Sequence, residues 1–439
     1  MKAEADSGAR DAPFAAAYGA SWRPILSGHA RDRALNAVAA LKARSAATGR
    51  ADREDASLSG GTSGLAVFHA QLAHATGDDE ARARADACLD DAIEVLSTAP
   101  LGASLYAGFT GVAWAAQLVG DLLHREDDDR NEAIDDALCG LLDRIDPNEA
   151  SYDLIHGLTG LGVYALERAP RPTAERCVSQ LVHYLATRAR EDDHGTYWWT
   201  GPSLLLGRNR TQYPAGGVDL GVAHGIAGVL PFLAGARAAG IRTATADALL
   251  DGAVRWLAAH ALDTGAGPTI PYFIADGSAP RPARSAWCYG DPGAAAALLV
   301  AAREARRPDW TEFATRLAIA AAQRPAGASG VVDAGFCHGS AGLAHLFNRL
   351  HQMTGEPTLE AAALFWLERT LEWCERVEDE AAPGAGPDAA PWNGEGVLEG
   401  AAGVALVLLA AGTAVEPVWD RMFAVSRLGP GNGAVDAGA

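Results

Sequence analysis

A short Gly-x-x-Gly element, followed each time by an apolar run, recurs seven times along the chain and restricts its fold more than any other feature. The copies are Gly61-Thr-Ser-Gly64, Gly108-Phe-Thr-Gly111, Gly157-Leu-Thr-Gly160 and Gly225-Ile-Ala-Gly228, then Gly290-Asp-Pro-Gly293, Gly339-Ser-Ala-Gly342 and Gly400-Ala-Ala-Gly403. Self-similarity at a long period marks an array of units, each too small to bury its own apolar face alone. Every interval between copies has room for two helices and their connections.

The residues after each motif read as a helix buried nearly all round, as in Gly293-Ala-Ala-Ala-Ala-Leu-Leu-Val300. Between motifs lie amphipathic helices. One spans Glu132 to Ile145, with Ile134, Leu138, Leu141, Leu142 and Ile145 on one stripe and acids opposite. Strand signals are weak throughout. The expectation is an all-α fold, an α/α toroid of seven helical hairpins with seven inner and seven outer helices, formed by one domain over residues 1–428. The Gly-rich residues 429–439 read as a disordered tail. Longer insertions, Tyr197 to Leu220, Asp263 to Ala286 and the Pro/Ala-rich Val377 to Trp392, read as loops over one mouth of the ring.

The chain has 439 residues, 49% of them hydrophobic, which is ample for a large core. A net charge of −19 argues against nucleic-acid binding, where a basic patch should dominate. Six cysteines, at 88, 139, 177, 288, 337 and 374, are too few and too scattered for a disulfide scaffold. Cys88, Cys139, Cys177 and Cys374 read as small buried hydrophobes. The start, MKAEADSGAR, lacks the apolar stretch of a secretory signal, and the apolar run from Gly403 to Val415 is too short to span a bilayer. A cytoplasmic protein is expected.

Polar residues collect just before the glycines: Tyr106, His156, His224, Cys288 and Tyr289, Cys337 and His338, and Glu399. If every repeat places its motif at one end of the ring, these side chains converge there, with Asp153 nearby. Cys288, Cys337 and His338 make a soft-metal set suited to Zn²⁺, and three protein ligands leave the fourth tetrahedral position open, as catalytic sites do. Zn²⁺ with two thiolates is neutral. A further thiolate makes the centre anionic and leaves that sulfur nucleophilic, so the donor set favours thiol chemistry over water activation.

Trp287-Cys288-Tyr289-Gly290-Asp291-Pro292-Gly293 and Cys337-His338-Gly339 resemble the signatures of the lanthionine cyclase (LanC-like) family. So do Tyr152-Asp153-Leu154-Ile155, Ala223-His224-Gly225-Ile226-Ala227-Gly228 and Leu398-Glu399-Gly400-Ala401-Ala402-Gly403, and the resemblance runs from about residue 55 to 410 in the family's order. Arg284, four residues before Cys288, also matches a family position; His156 departs from the small or uncharged residue usual there.

The resemblance implies a stand-alone cyclase with one zinc per chain. Its substrate would be a dehydrated lanthipeptide precursor, leader plus core. The reaction adds precursor cysteine thiols to dehydroalanine or dehydrobutyrine to give thioether rings. Implied partners are a dehydratase and a transporter complex, which would hold a cytoplasmic enzyme peripherally at the membrane. His224 is the candidate acid–base residue, with Asp153 orienting it, Arg284 stabilising enolate charge, Tyr289 sharing proton transfer, and His156 and Trp287 accessory. The alternative within the same fold adds glutathione or another small thiol to dehydroamino acids, or only binds thiols and peptides. A prenyltransferase subunit would need a basic diphosphate site, and a carbohydrate-active toroid would leave the Cys/His set without a purpose.

Overall fold

The computed structural model describes residues 21–45, 54–125, 129–205, 207–380, 392 and 394–429. Its helices in chain order are α1 (Gly28–Ser45), α2 (Thr62–Thr76), α3 (Asp79–Thr98), α4 (Phe109–Leu122), α5 (Glu132–Leu142), α6 (Leu158–Glu167) and α7 (Pro172–Arg188). There follow a short α8 (Gly207–Gln212), then α9 (Ile226–Ala238), α10 (Thr243–His260), α11 (Asp291–Glu304), α12 (Pro308–Ala322), α13 (Ser340–Thr354), α14 (Pro357–Glu380) and α15 (Ala401–Gly412).

Each Gly-x-x-Gly opens an inner helix. Gly61, Gly108, Gly157, Gly225, Gly290, Gly339 and Gly400 are the N-caps of α2, α4, α6, α9, α11, α13 and α15. These seven pack side by side in that order, and α15 returns to α2, so the ring closes. Outside it, α3, α5, α7, α10, α12 and α14 each cover the inner helix that precedes them. The seventh outer helix is α1, which precedes the first motif and packs on the last inner helix. The fold is therefore the seven-hairpin α/α toroid, its last hairpin built from the two ends of the chain.

Local chemistry sets the helix ends. The Asp78 carboxylate caps α3 by accepting the Ala81 N–H at 2.9 Å, and Pro172 and Pro308 sit in the first turns of α7 and α12. Gly77 and Gly355 end α2 and α13 in the left-handed conformation. The inner-helix motifs need glycine for a different reason, close backbone approach. A Cβ on Gly342 would stand 1.8 Å from the Phe336 carbonyl oxygen, and one on Gly111 2.0 Å from that of Leu105. Both oxygens belong to the turn leading into the same helix, so no rotamer change relieves the clash. Gly342→Ala is expected to cost at least about 2 kcal/mol, read as a lower urea midpoint.

The ring is filled along its axis. Trp287, Phe336, Trp419 and Phe423 are fully buried and pack together, Phe336 stacked on Phe423 and the two tryptophans tilted or edge-on to them, with Tyr106 against Trp287 and Phe423. A 3₁₀ turn, Val418–Phe423, supplies two of these rings and plugs the centre. Its carbonyls take two polar hydrogens of the core: Trp287 Nε1–H donates to Phe423 O and Tyr106 O–H to Met422 O, both at 2.8 Å. Asp420, wholly buried in that turn, accepts from His345 Nε2 at 2.8 Å and from Arg349 at 2.7 and 2.9 Å.

Three expectations from sequence are revised. Cys139 on α5 and Cys177 on α7 are not separate hydrophobes; they form a disulfide between neighbouring outer helices, their Cα atoms 5.7 Å apart. The acids of α5 do not all stand opposite a buried stripe: Asp135 is buried against Arg168 and accepts the Tyr164 hydroxyl at 2.6 Å. The first two insertions are not open loops. They carry the two-residue strands Val218–Asp219 and Phe273–Ile274, which pair antiparallel, and α8, with Tyr213 stacked on Phe273 at 4.2 Å in a small core of its own. Most of the third insertion, and residues 430–439 of the tail, lie outside the described residues.

Candidate metal centre and acid–base cluster

In six of the seven motifs the residue two before the first glycine joins its neighbour in the next repeat through the backbone. Ile155 N–H donates to Ala223 O at 3.3 Å, Ala223 to Cys288 at 3.3 Å, Cys288 to Cys337 at 3.3 Å, and Cys337 to Leu398 at 2.8 Å. Leu398 donates to Ser59 at 2.9 Å and Ser59 to Tyr106 at 3.1 Å. This girdle stands at the N-terminal end of the inner helices. It converts sequence neighbours of seven distant glycines into spatial neighbours. Cys288 and Cys337 occupy equivalent places in consecutive repeats, and the residue just before the glycine is His156, His224, Tyr289 and His338 in four consecutive repeats.

Cys288, Cys337 and His338 come together, their ligand atoms all within 4.8 Å of one another. Both cysteines are buried, and the imidazole is half-buried. The Nδ1 atom of His338 is buried and makes no hydrogen bond, while Nε2 lies 3.5 Å from Asp333 Oδ2. A buried imidazole nitrogen with no partner beside two thiols is the arrangement a soft divalent metal completes, and a carboxylate behind the imidazole is the usual support for such a ligand. The hydrogen bond from Cys337 pulls the Cys288 thiol well below the ordinary thiol range against its burial, with His338 and the Arg284 guanidinium adding to the effect. Arg284 Nη2 approaches Cys288 Sγ at 3.7 Å.

The acid–base group stands on the adjoining repeats. His224 Nδ1 is 2.7 Å from Asp153 Oδ2, and the other oxygen of that buried carboxylate accepts the His156 backbone N–H at 2.7 Å. Burial works to lower the His224 pKa. The hydrogen bond and charge of Asp153, with the charges of Asp219 and Cys288 beyond, outweigh it and hold the imidazole above its ordinary value. With Nδ1 committed to Asp153, Nε2 is the atom left to exchange a proton. His156 is exposed, and its ring stacks on His224 with centroids 5.7 Å apart. On the other side lies Tyr289, ring centroid 6.2 Å from His224, whose hydroxyl donates to Asp219 Oδ2 at 2.8 Å. Burial and then the Asp219 charge push the Tyr289 phenol far above its ordinary value.

Trp287 is buried beside Cys288, its indole N–H donating to Phe423 O and its backbone N–H to Cys337 O at 3.2 Å. Two residues absent from the sequence reading stand close to the chemistry: Asp333, behind His338, and Asp219, behind Tyr289. The sequence held a signal for both. Val218-Asp219-Leu220-Gly221-Val222-Ala223-His224-Gly225 and Val332-Asp333-Ala334-Gly335-Phe336-Cys337-His338-Gly339 share the pattern Val-Asp-x-Gly-x-x-His-Gly.

Residues 52–424 match the family described as lanthionine synthetase C-like protein. The nisin biosynthesis protein NisC of Lactococcus lactis subsp. lactis is 23% identical over 390 residues, covering 81% of this chain and 85% of that protein. A solved structure named nisin cyclase superposes with a TM-score of 0.70 at 21% identity, over 89% of this chain and 96% of that one. A match over most of the chain, on the toroid and its mouth, settles the family: this chain is a member of the lanthionine synthetase C-like proteins.

Proposed function

We propose that this protein is a zinc-dependent lanthipeptide cyclase, one toroidal unit over residues 1–428 that closes thioether rings in a dehydrated precursor peptide. The observation that carries the reading is the meeting of a Cys288/Cys337/His338 donor set with the Asp153–His224 pair at one mouth of a LanC-like toroid. NisC, by name a nisin biosynthesis protein, supports the same reading. Cys288, Cys337 and His338 would hold the zinc. When bound, zinc supplies a Lewis acid that lowers the pKa of a substrate thiol, so that the thiol reacts as thiolate at neutral pH.

The chain's own groups meet the remaining demands. Addition of sulfur to the β-carbon of a dehydroamino acid moves the π pair toward the neighbouring carbonyl, and the α-carbon then needs a proton. His224, whose protonated form Asp153 favours, donates it from Nε2. Arg284 places a positive charge beside the thiol cluster, where anionic charge gathers. His156 adds a second imidazole, open to solvent, against the ring of His224, suited to returning protons to it. Among the described residues no helix is long and apolar enough to cross a membrane. A dehydratase upstream, and a transporter at the membrane, would be met in the cytoplasm.

The second reading, addition of glutathione or another small thiol, uses the same donor set. A competition distinguishes them. The zinc-loaded protein is given a dehydrated precursor containing one cysteine, with glutathione at millimolar concentration, and the products are resolved by mass spectrometry after thiol alkylation. The cyclase reading expects a product of unchanged mass with no alkylatable thiol. A glutathione adduct with the cysteine still free favours the second reading.

A further inference from the structure

Asp219, 2% exposed, has no task in the steps above. Its setting is a repeat of another. In both copies of Val-Asp-x-Gly-x-x-His-Gly the aspartate makes the same tight turn, Oδ1 accepting the N–H two residues on, from Gly221 and from Gly335, at 2.9 Å each. The turn fixes the carboxylate and leaves Oδ2 for a side chain of the mouth. For Asp333 that side chain is His338, at 3.5 Å; for Asp219 it is Tyr289, at 2.8 Å. In each case the carboxylate backs a group standing just before a motif glycine.

We propose that Asp219 is a positioning residue that sets the polarity of Tyr289, turning the phenol's one hydrogen into the protein and its oxygen lone pairs toward the space beside His224. An ionised carboxylate only accepts hydrogen bonds, and a phenol has one hydrogen to give. Burial pushes Asp219 up to about 6, with the charge of His224, the Gly221 N–H and the Tyr289 hydroxyl acting the other way. At neutral pH it is thus the anion that the arrangement requires. Tyr289 then offers the substrate an acceptor. The chemistry it fits is an amide N–H, such as that of the dehydroamino acid, held so that the alkene faces His224.

The assignment rests on the cyclase reading and divides its labour. The sulfur–carbon bond forms as the alkene π pair moves toward the carbonyl, the Nε2 proton of His224 passes to the α-carbon, and the proton given up by the substrate thiol restores the imidazolium. Tyr289 contributes no proton to this balance.

Asp219→Asn tests it with almost no change of shape. The Gly221 N–H claims the amide oxygen, so the amide NH₂ faces Tyr289. The phenol must then accept, and its hydrogen turns outward. Ring closure of a dehydrated precursor with one cysteine is followed by alkylation and mass spectrometry, alongside zinc content. Asp219→Asn is expected to lower kcat by about 10- to 100-fold, the worth of a hydrogen bond to a charged group, with KM changed less and zinc unchanged. Tyr289→Phe is expected to lose a similar factor, and the double variant no more than the worse single one. Independent, multiplying losses would overturn the proposal by assigning Asp219 a general supporting role. A wild-type rate for Asp219→Asn would overturn it too. If the unaltered protein closes no ring, the cyclase reading falls and this inference with it; ring closure by the unaltered protein with multiplying losses sinks the inference alone.

Discussion

His224→Asn is expected to slow ring closure by about 10²–10⁴-fold, the usual contribution of general acid–base catalysis, while zinc content and thermal stability remain those of the unaltered protein. The two demands of the reaction are separable in this structure. On the proposed reading the thiol would meet Cys288, Cys337 and His338, whereas the proton would come from a different repeat, where His224 Nδ1 lies 2.7 Å from Asp153. His224 lies outside the donor set, so its loss leaves the ligands in place. Asp153→Asn is expected to lose a comparable factor, because Asp153 is hydrogen-bonded to the imidazole and favours its charged form.

The sign of the pH effect follows. Asp153 raises the pKa of His224, so the acid form persists to higher pH than in a free imidazole. Removing that charge moves the alkaline limb of the kcat profile to lower pH. The Asp153→Asn, His224→Asn double variant should be little worse than either single one, since the two act as a unit. A zinc-loaded His224→Asn protein that closes rings at a near-normal rate removes His224 from this role.

Cys337→Ala is expected to reduce zinc from about one per chain to a trace, and ring closure with it. Three donors are the fewest that hold a catalytic zinc with an open position, and the variant retains two. Elemental analysis after dialysis against a weak chelator reads the outcome directly. Cys374→Ala, outside the donor set on the outer helix α14, is the control and should bind zinc as before. Full zinc occupancy in Cys337→Ala would show that the ligands are misassigned.

The ring and its mouth were legible because the repeat is local and periodic. Each Gly-x-x-Gly states where an inner helix begins, since its glycines admit a carbonyl that any side chain would expel. Once the motifs are aligned, Cys288, Cys337, His338 and His224 fall into equivalent places without any contact being known. Pairings between distant segments carry no such local signature. Nothing near Gly28–Ser45 announces that α1 completes the last hairpin, and nothing near Trp287 announces that its indole N–H ends on Phe423 O. The Cys139–Cys177 pair likewise depends on two outer helices lying side by side. Asp219 and Asp333 differ from these cases. Their repeated eight-residue pattern was present in the sequence, but it becomes meaningful only when the turn is seen to aim the second carboxylate oxygen at the site.

The central claim is that this toroid closes thioether rings and needs its metal to do so. The most direct test is a time course of thiol loss in a dehydrated precursor containing one cysteine, run with the purified protein, with the chelated protein, and with the chelated protein after zinc is restored. Each sample is alkylated and weighed by mass spectrometry. The expected result is ring closure by the untreated protein, closure near the uncatalysed rate after chelation, and recovery on return of about one zinc per chain. Equal rates in all three samples, or thiols that remain alkylatable in every one, would contradict the claim.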